Sequence, residues 1–76
     1  MGDFPSMKAA DLIRLLQRKL GYEVDRQKGS HRRLKAVGRP TLTFAFHDRQ
    51  SLPPGVVRKV LVKDVGLSEE DAEGIL

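Results

Sequence analysis

Cysteine is absent from the 76 residues. That removes disulfides, thiol nucleophiles and cysteine-based zinc sites together. A small domain without covalent staples fits a reducing compartment, so the cytoplasm is the expected location. Tryptophan is also absent, and the aromatics are only Phe4, Tyr22, Phe44 and Phe46, so the core is expected to rest on Leu, Ile and Val. No apolar run approaches the roughly 20 residues of a membrane span, and no membrane association is expected. No glycine loop of the Gly-Lys-Ser or Gly-Lys-Thr kind follows a strand, and Ser30 lacks the Gly-x-Ser-x-Gly surroundings of a hydrolase elbow. The two histidines, His31 and His47, are too few for a zinc site with Asp48 alone beside them, so no metal is expected. Carboxylates are dispersed over loops and the C-terminal segment, which argues against two-metal or glycosidase chemistry.

The length fits a single domain, 1–76, burying only about 60% of its extended surface. Residues 1–6 have neither a basic n-region nor an apolar h-region. They are expected to be a disordered leader of the domain rather than a signal peptide. Net charge is +4, and its distribution is uneven. Arg26, Lys28, Arg32, Arg33, Lys35 and Arg39 fall in 26–39 with no acid among them, whereas Asp64, Glu69, Glu70, Asp71 and Glu73 fall in 64–76 with no base. A basic stretch of this kind attracts phosphate backbones by counterion release, and it also serves as an ordinary solvated face.

Ala9, Leu12, Ile13, Leu16 and Leu20 form one stripe of an amphipathic helix over 7–20, with Ser6 as N-cap and Gly21 as the left-handed stop. Segments 22–28, 31–37 and 41–47 read as strands. Tyr22 and Val24, then Leu34 and Ala36, then Leu42, Phe44 and Phe46 are expected to face the core. His31, Arg33, Lys35, Thr43 and His47 are expected on the opposite face. Short turns between the strands make an antiparallel meander the economical topology. Pro54 opens a second helix that Gly66 stops, with Val57, Val60, Leu61 and Val65 at core spacing despite their β-branched character. Ser68 to Asp71 resembles a capping box ahead of a short C-terminal helix. The expected class is α+β, a three-stranded antiparallel sheet with helices on one face.

Chemistry concentrates at Lys28-Gly29-Ser30-His31-Arg32-Arg33. Glycine and serine make a hairpin turn whose amides also suit a phosphate. Imidazole exchanges protons near neutral pH. In RNA cleavage a base takes the 2′-hydroxyl proton, an acid protonates the leaving 5′-oxygen, and cations stabilise the charged phosphorane. A histidine among arginines and lysines supplies much of that without a cofactor. A plain surface histidine is the competing reading. His47 is open to three uses: second acid/base, phosphate contact, or strand-end residue.

The chain resembles the HicA family, small toxins of bacterial and archaeal toxin–antitoxin modules, over about 7–67. Three motifs carry the resemblance: Lys8-Ala-Ala-Asp-Leu12-Ile13, Lys28-Gly29-Ser30-His31, and Leu52-Pro53-Pro54-Gly55-Val56-Val57-Arg58-Lys59-Val60-Leu61 running on to Val65-Gly66-Leu67-Ser68. The resemblance implies a dsRBD-like α-β-β-β-α fold and metal-independent endoribonuclease (mRNA interferase) activity on mRNA, with no cofactor. It also implies His31 as the catalytic residue and neutralisation by a HicB-like antitoxin covering the active site. Arg32 stands where many members have a second histidine, Leu34 where an aromatic is usual, and Val57 where a leucine is common. His47 lies where the family often has a histidine between prolines. Lys28, Gly29, Ser30, Arg32, Arg33, Lys35 and His47 are the expected RNA contacts. The alternatives are a non-catalytic RNA-binding domain using the same face, and an interaction protein whose basic face docks an acidic partner.

Overall fold

Helix α1 spans Ala9–Leu20 and buries Ala9, Leu12, Ile13 and Leu16 of the stripe read from the sequence, with Leu20 partly buried. This is a computed structural model, and it describes residues 4–76. Gly21 ends α1 at φ 74°, and the Gly21 and Tyr22 N–H groups both donate to the Leu16 carbonyl, the latter at 3.2 Å, so the left-handed stop satisfies an end carbonyl of the helix.

The start of α1 differs from the expected one. Met7–Lys8 is an extended strand, β1, and Ser6 does not cap the helix. Instead the Ala9 and Ala10 N–H groups donate to the carbonyls of Gln50 and Asp48, at 2.9 and 3.1 Å. A loop from the far half of the chain thereby supplies acceptors that a capping side chain usually provides. Of the expected leader, residues 1–3 lie outside the described residues, and Phe4 is buried in the core, which corrects the expectation for that residue.

Strands β2 (Glu23–Lys28), β3 (His31–Lys35) and β4 (Leu42–Phe44) form an antiparallel sheet in the order β2-β3-β4. Gly29 and Ser30 join β2 to β3. Gly29 takes φ 61°, the positive value that a two-residue hairpin loop requires at its first position. The Tyr22 hydroxyl donates to the Pro40 carbonyl at 2.7 Å and ties down the loop between β3 and β4. Burial pushes the Tyr22 phenol above its ordinary pKa, with Arg39 acting weakly in the other direction.

Strand β4 stops at Phe44, short of the 41–47 read from the sequence. The last rung of the ladder pairs Arg32 with Phe44. Phe46 still packs edge-on to Phe44, with ring centroids 5.0 Å apart, and the chain then turns through residues 47–50 toward the start of α1. A second, two-stranded sheet pairs β1 with β5 (Ser51–Leu52). Its members are too short to be seen in a hydropathy pattern.

Helix α2 starts at Pro54, as expected, and is α-helical to Arg58. Lys59–Asp64 continues it as a π-helix, marked by a Val65 N–H bond to the Val60 carbonyl, five residues back. Val57, Val60, Leu61 and Val65 are all buried. Gly66 closes the helix at φ 91°. Helix α3 (Glu69–Gly74) is capped by Ser68, whose Oγ accepts from the Asp71 N–H at 3.0 Å, and buries Ala72.

These helices and the inward sheet residues Leu34, Leu42 and Phe44 share one hydrophobic core. Fully burying a side chain of the Leu, Val or Phe kind contributes about 1.5–3 kcal/mol, so this single core carries the stability of the α+β fold. Val24 stays 40% exposed, because β2 is an edge strand whose residues are all on the surface.

Candidate functional site

The outward face of the sheet follows from the register. Lys28 lies opposite His31, Arg26 opposite Arg33, and Glu23 opposite Lys35. On the other side of β3, Thr43 lies opposite Arg33. Residues opposite each other on antiparallel strands share a face, with Cβ atoms about 5 Å apart. His31 therefore sits at the head of β3, directly after the turn, with Lys28 beside it and Arg33 two residues along. His31, Lys28 and Lys35 are exposed, and Arg33 and Ser30 are partly so.

A bulge in β2 alters the far end of this face. The register shifts between Val24 and Arg26, leaving Asp25 as the extra residue. Val24 lies opposite Leu34 on the helix side, Asp25 as the next residue points outward, and the shift brings Arg26 to the outward face as well, opposite Arg33. Arg33 Nε and Nη2 both donate to Asp25 Oδ2, at 3.0 and 2.8 Å, and Lys35 Nζ lies 3.8 Å from the same oxygen. The Arg33 hydrogen bond holds the Asp25 carboxyl below the usual carboxylate range. Slight desolvation opposes it, and the charge of Lys35 adds to it.

Arg32 is separated from its neighbours. It is one residue out of phase with His31 and Arg33, so it projects to the helix side, above Phe44. Its side chain is only 11% exposed and forms an ion pair with Asp48, while its Nε is buried without a hydrogen-bond partner. This geometry places Arg32 apart from Lys28 and Arg33, with which the sequence grouped it as an RNA contact. The expected position of His47 is also corrected: it is exposed, but in the loop beyond β4, where its carbonyl accepts from the Gln50 N–H at 2.9 Å. The loop is fastened to β3 by Asp48, the sequence neighbour of His47.

Asp25 and Asp48 were not singled out by sequence. Plain alternation after Val24 was a signal that Asp25 faces outward. Asp48 lies sixteen residues from Arg32 and gave none. Among the described residues, no three of His, Cys, Asp or Glu converge as a metal-binding group, and no helix is long and apolar enough to cross a membrane.

A sheet with helices packed on one side and basic strand residues on the other defines a small α+β domain of the dsRBD-like kind. The family model described as the HicA toxin of bacterial toxin–antitoxin systems matches residues 9–67, and the chain belongs to that family. It is thus a toxin of a toxin–antitoxin module. The matched segment contains the whole three-stranded sheet with its Lys28-to-His31 turn. No curated protein and no solved structure matches the chain.

Proposed function

We propose that this toxin is an endoribonuclease that cleaves mRNA in the cytoplasm, with His31 as its catalytic residue. The observation that carries the reading is the position of His31: exposed, immediately after the Gly29 and Ser30 turn, with Lys28 across the ladder and Arg33 on the same face. His31 takes the proton of a ribose 2′-hydroxyl as that oxygen attacks the adjacent phosphorus. The bond from phosphorus to the 5′-oxygen breaks, the departing oxygen takes a proton from water, and the hydroxide left behind recovers the proton held by His31. The product ends are a 2′,3′-cyclic phosphate and a 5′-hydroxyl. Lys28 and Arg33 stabilise the charge that accumulates on the phosphoryl oxygens, and the Gly29 and Ser30 amides lie close enough in sequence to add to that. Proton transfer and cationic stabilisation both come from side chains, so the chemistry requires no metal. A HicB-type antitoxin that covers this face would block the strand path and silence the toxin.

The test is cleavage of an mRNA by purified wild-type and His31→Ala protein, with and without a chelator. Wild-type protein is expected to cleave in both conditions. His31→Ala is expected to lose at least about a hundredfold, the lower range for a general acid or base. Undiminished cleavage by the variant would overturn the role of His31. Salt-sensitive binding by wild type with no product after long incubation would instead establish the non-catalytic RNA-binding domain.

A further inference from the structure

The cations of the outward face are not equally available. Among the described residues, no ion pair engages Lys28 or Arg26, at the His31 end and the middle of the face. Arg33 and Lys35, further along β3, share one carboxylate oxygen of Asp25. Asp25 alternates with Val24 and so faces outward, and the register shift after it sets Arg26 opposite Arg33 and Lys28 opposite His31. Bulges of this kind re-aim a side chain next to a functional site.

We propose that Asp25 is a built-in competitor for the RNA backbone, occupying Arg33 and Lys35 so that phosphate binds first at the Lys28 and His31 end. The proposal rests on the RNA-cleavage reading and deepens it by naming a residue that sets affinity and register. A carboxylate oxygen holding the Nε and Nη2 edge of a guanidinium stands where a phosphate oxygen would stand. Asp25 is ionised at neutral pH, since Arg33 holds its proton affinity down. Its side chain is 36% exposed and that of Arg33 is 41% exposed, so both are open to an incoming phosphate. A backbone phosphate reaching the Nε and Nη2 edge of Arg33 must therefore exchange with Asp25, whereas one reaching Lys28 displaces only ions and water. The cations without an ion pair, Lys28 and Arg26, lie at the histidine end and the middle of the face, while at the far end Asp25 and Glu23 offset Arg33 and Lys35. That gradient favours a strand seated with its scissile phosphate at His31 over one seated anywhere along β3.

The test is the salt dependence of binding to a short single-stranded oligoribonucleotide, by fluorescence anisotropy. It compares wild type, Asp25→Asn and Glu23→Gln. Glu23→Gln removes one negative charge from the same strand, at a residue that no ion pair engages among the described residues. Far-UV circular dichroism confirms that each variant is folded. Asp25→Asn is expected to bind on the order of threefold to tenfold more tightly, with a salt slope steeper by about 0.7 for each newly available cation, and Glu23→Gln to gain clearly less. Weaker binding by Asp25→Asn would show that Asp25 merely positions Arg33 and would overturn the proposal. An unchanged affinity, or a gain equalled by Glu23→Gln, would overturn it as well. If wild type and both variants all fail to bind RNA, the RNA reading itself falls, an outcome distinct from the others. In the cleavage assay, Asp25→Asn is expected to lose the preference for one cut position on a defined RNA. A simple loss of stability would not produce that change.

Discussion

Arg32 and Arg33 are adjacent in the chain and serve opposite faces of the sheet. Arg33 lies outward against Asp25, at 2.8 and 3.0 Å, on the face of His31. Arg32 lies inward, paired with Asp48 and covering the edge of the core beside Phe44. A pair that looks like one basic motif in the sequence thus divides into a candidate ligand contact and a tie between β3 and the loop that caps α1.

Arg32 should therefore matter for stability more than for RNA. Asp48 is 59% exposed, so the ion pair itself contributes about 0–1 kcal/mol, while the largely buried stem of Arg32 contributes through packing. Arg32→Ala is expected to cost about 1–2 kcal/mol in urea unfolding, and Asp48→Asn less than about 1 kcal/mol. Arg32→Met keeps the apolar stem and removes the unpartnered Nε, so it is expected to be close to neutral. A large loss of RNA affinity in folded Arg32→Met would count against this division of labour.

Lys28 should show the opposite profile. It is exposed, makes no ion pair among the described residues, and lies opposite His31. Lys28→Ala is expected to leave the urea midpoint within about 0.5 kcal/mol of wild type. It should weaken RNA binding and lower the salt slope by about 0.7, the value for one phosphate contact to a single strand. An unchanged salt slope would remove Lys28 from the phosphate path.

The C-terminal helix depends on its cap. Six residues are too few to persist without tertiary support and a satisfied first turn. Ser68→Ala leaves the Asp71 N–H without its acceptor and is expected to cost about 1 kcal/mol. Hydrogen exchange should locate the loss, with protection falling in residues 69–74 while β3 is unaffected. Equal loss of protection in β3 would mean that α3 unfolds only with the whole domain.

The acid limb of stability should report on Asp25. Its folded pKa lies below the unfolded value of about 3.9, so its contribution is present above that value and is lost as pH falls through the folded pKa. Asp25→Asn has no such contribution at any pH. The melting temperatures of wild type and Asp25→Asn should differ most near neutral pH and converge at about pH 2. A gap that stays constant across that range would show that the carboxylate contributes nothing through its charge.

Much of the chain was legible in the sequence because it depends on neighbours a few residues away. The stripe of α1, the left-handed stops at Gly21 and Gly66, the Pro54 start and the Ser68 cap are all local chemistry, and each stands where the pattern placed it. So does the Gly29 turn that sets His31 at the head of its strand, which is why the candidate site was visible at all. What only the tertiary structure decided involves residues far apart in the chain. Two-residue strands β1 and β5 have no periodicity of their own and exist because they lie side by side. β4 ends at Phe44 because the ladder ends there, which takes His47 into a loop. The bulge at Asp25 and the ion pair of Arg32 with Asp48 depend on which strand and which loop lie side by side. Local sequence specifies turns, caps and the amphipathic stripe. Pairing between distant segments specifies which charges meet.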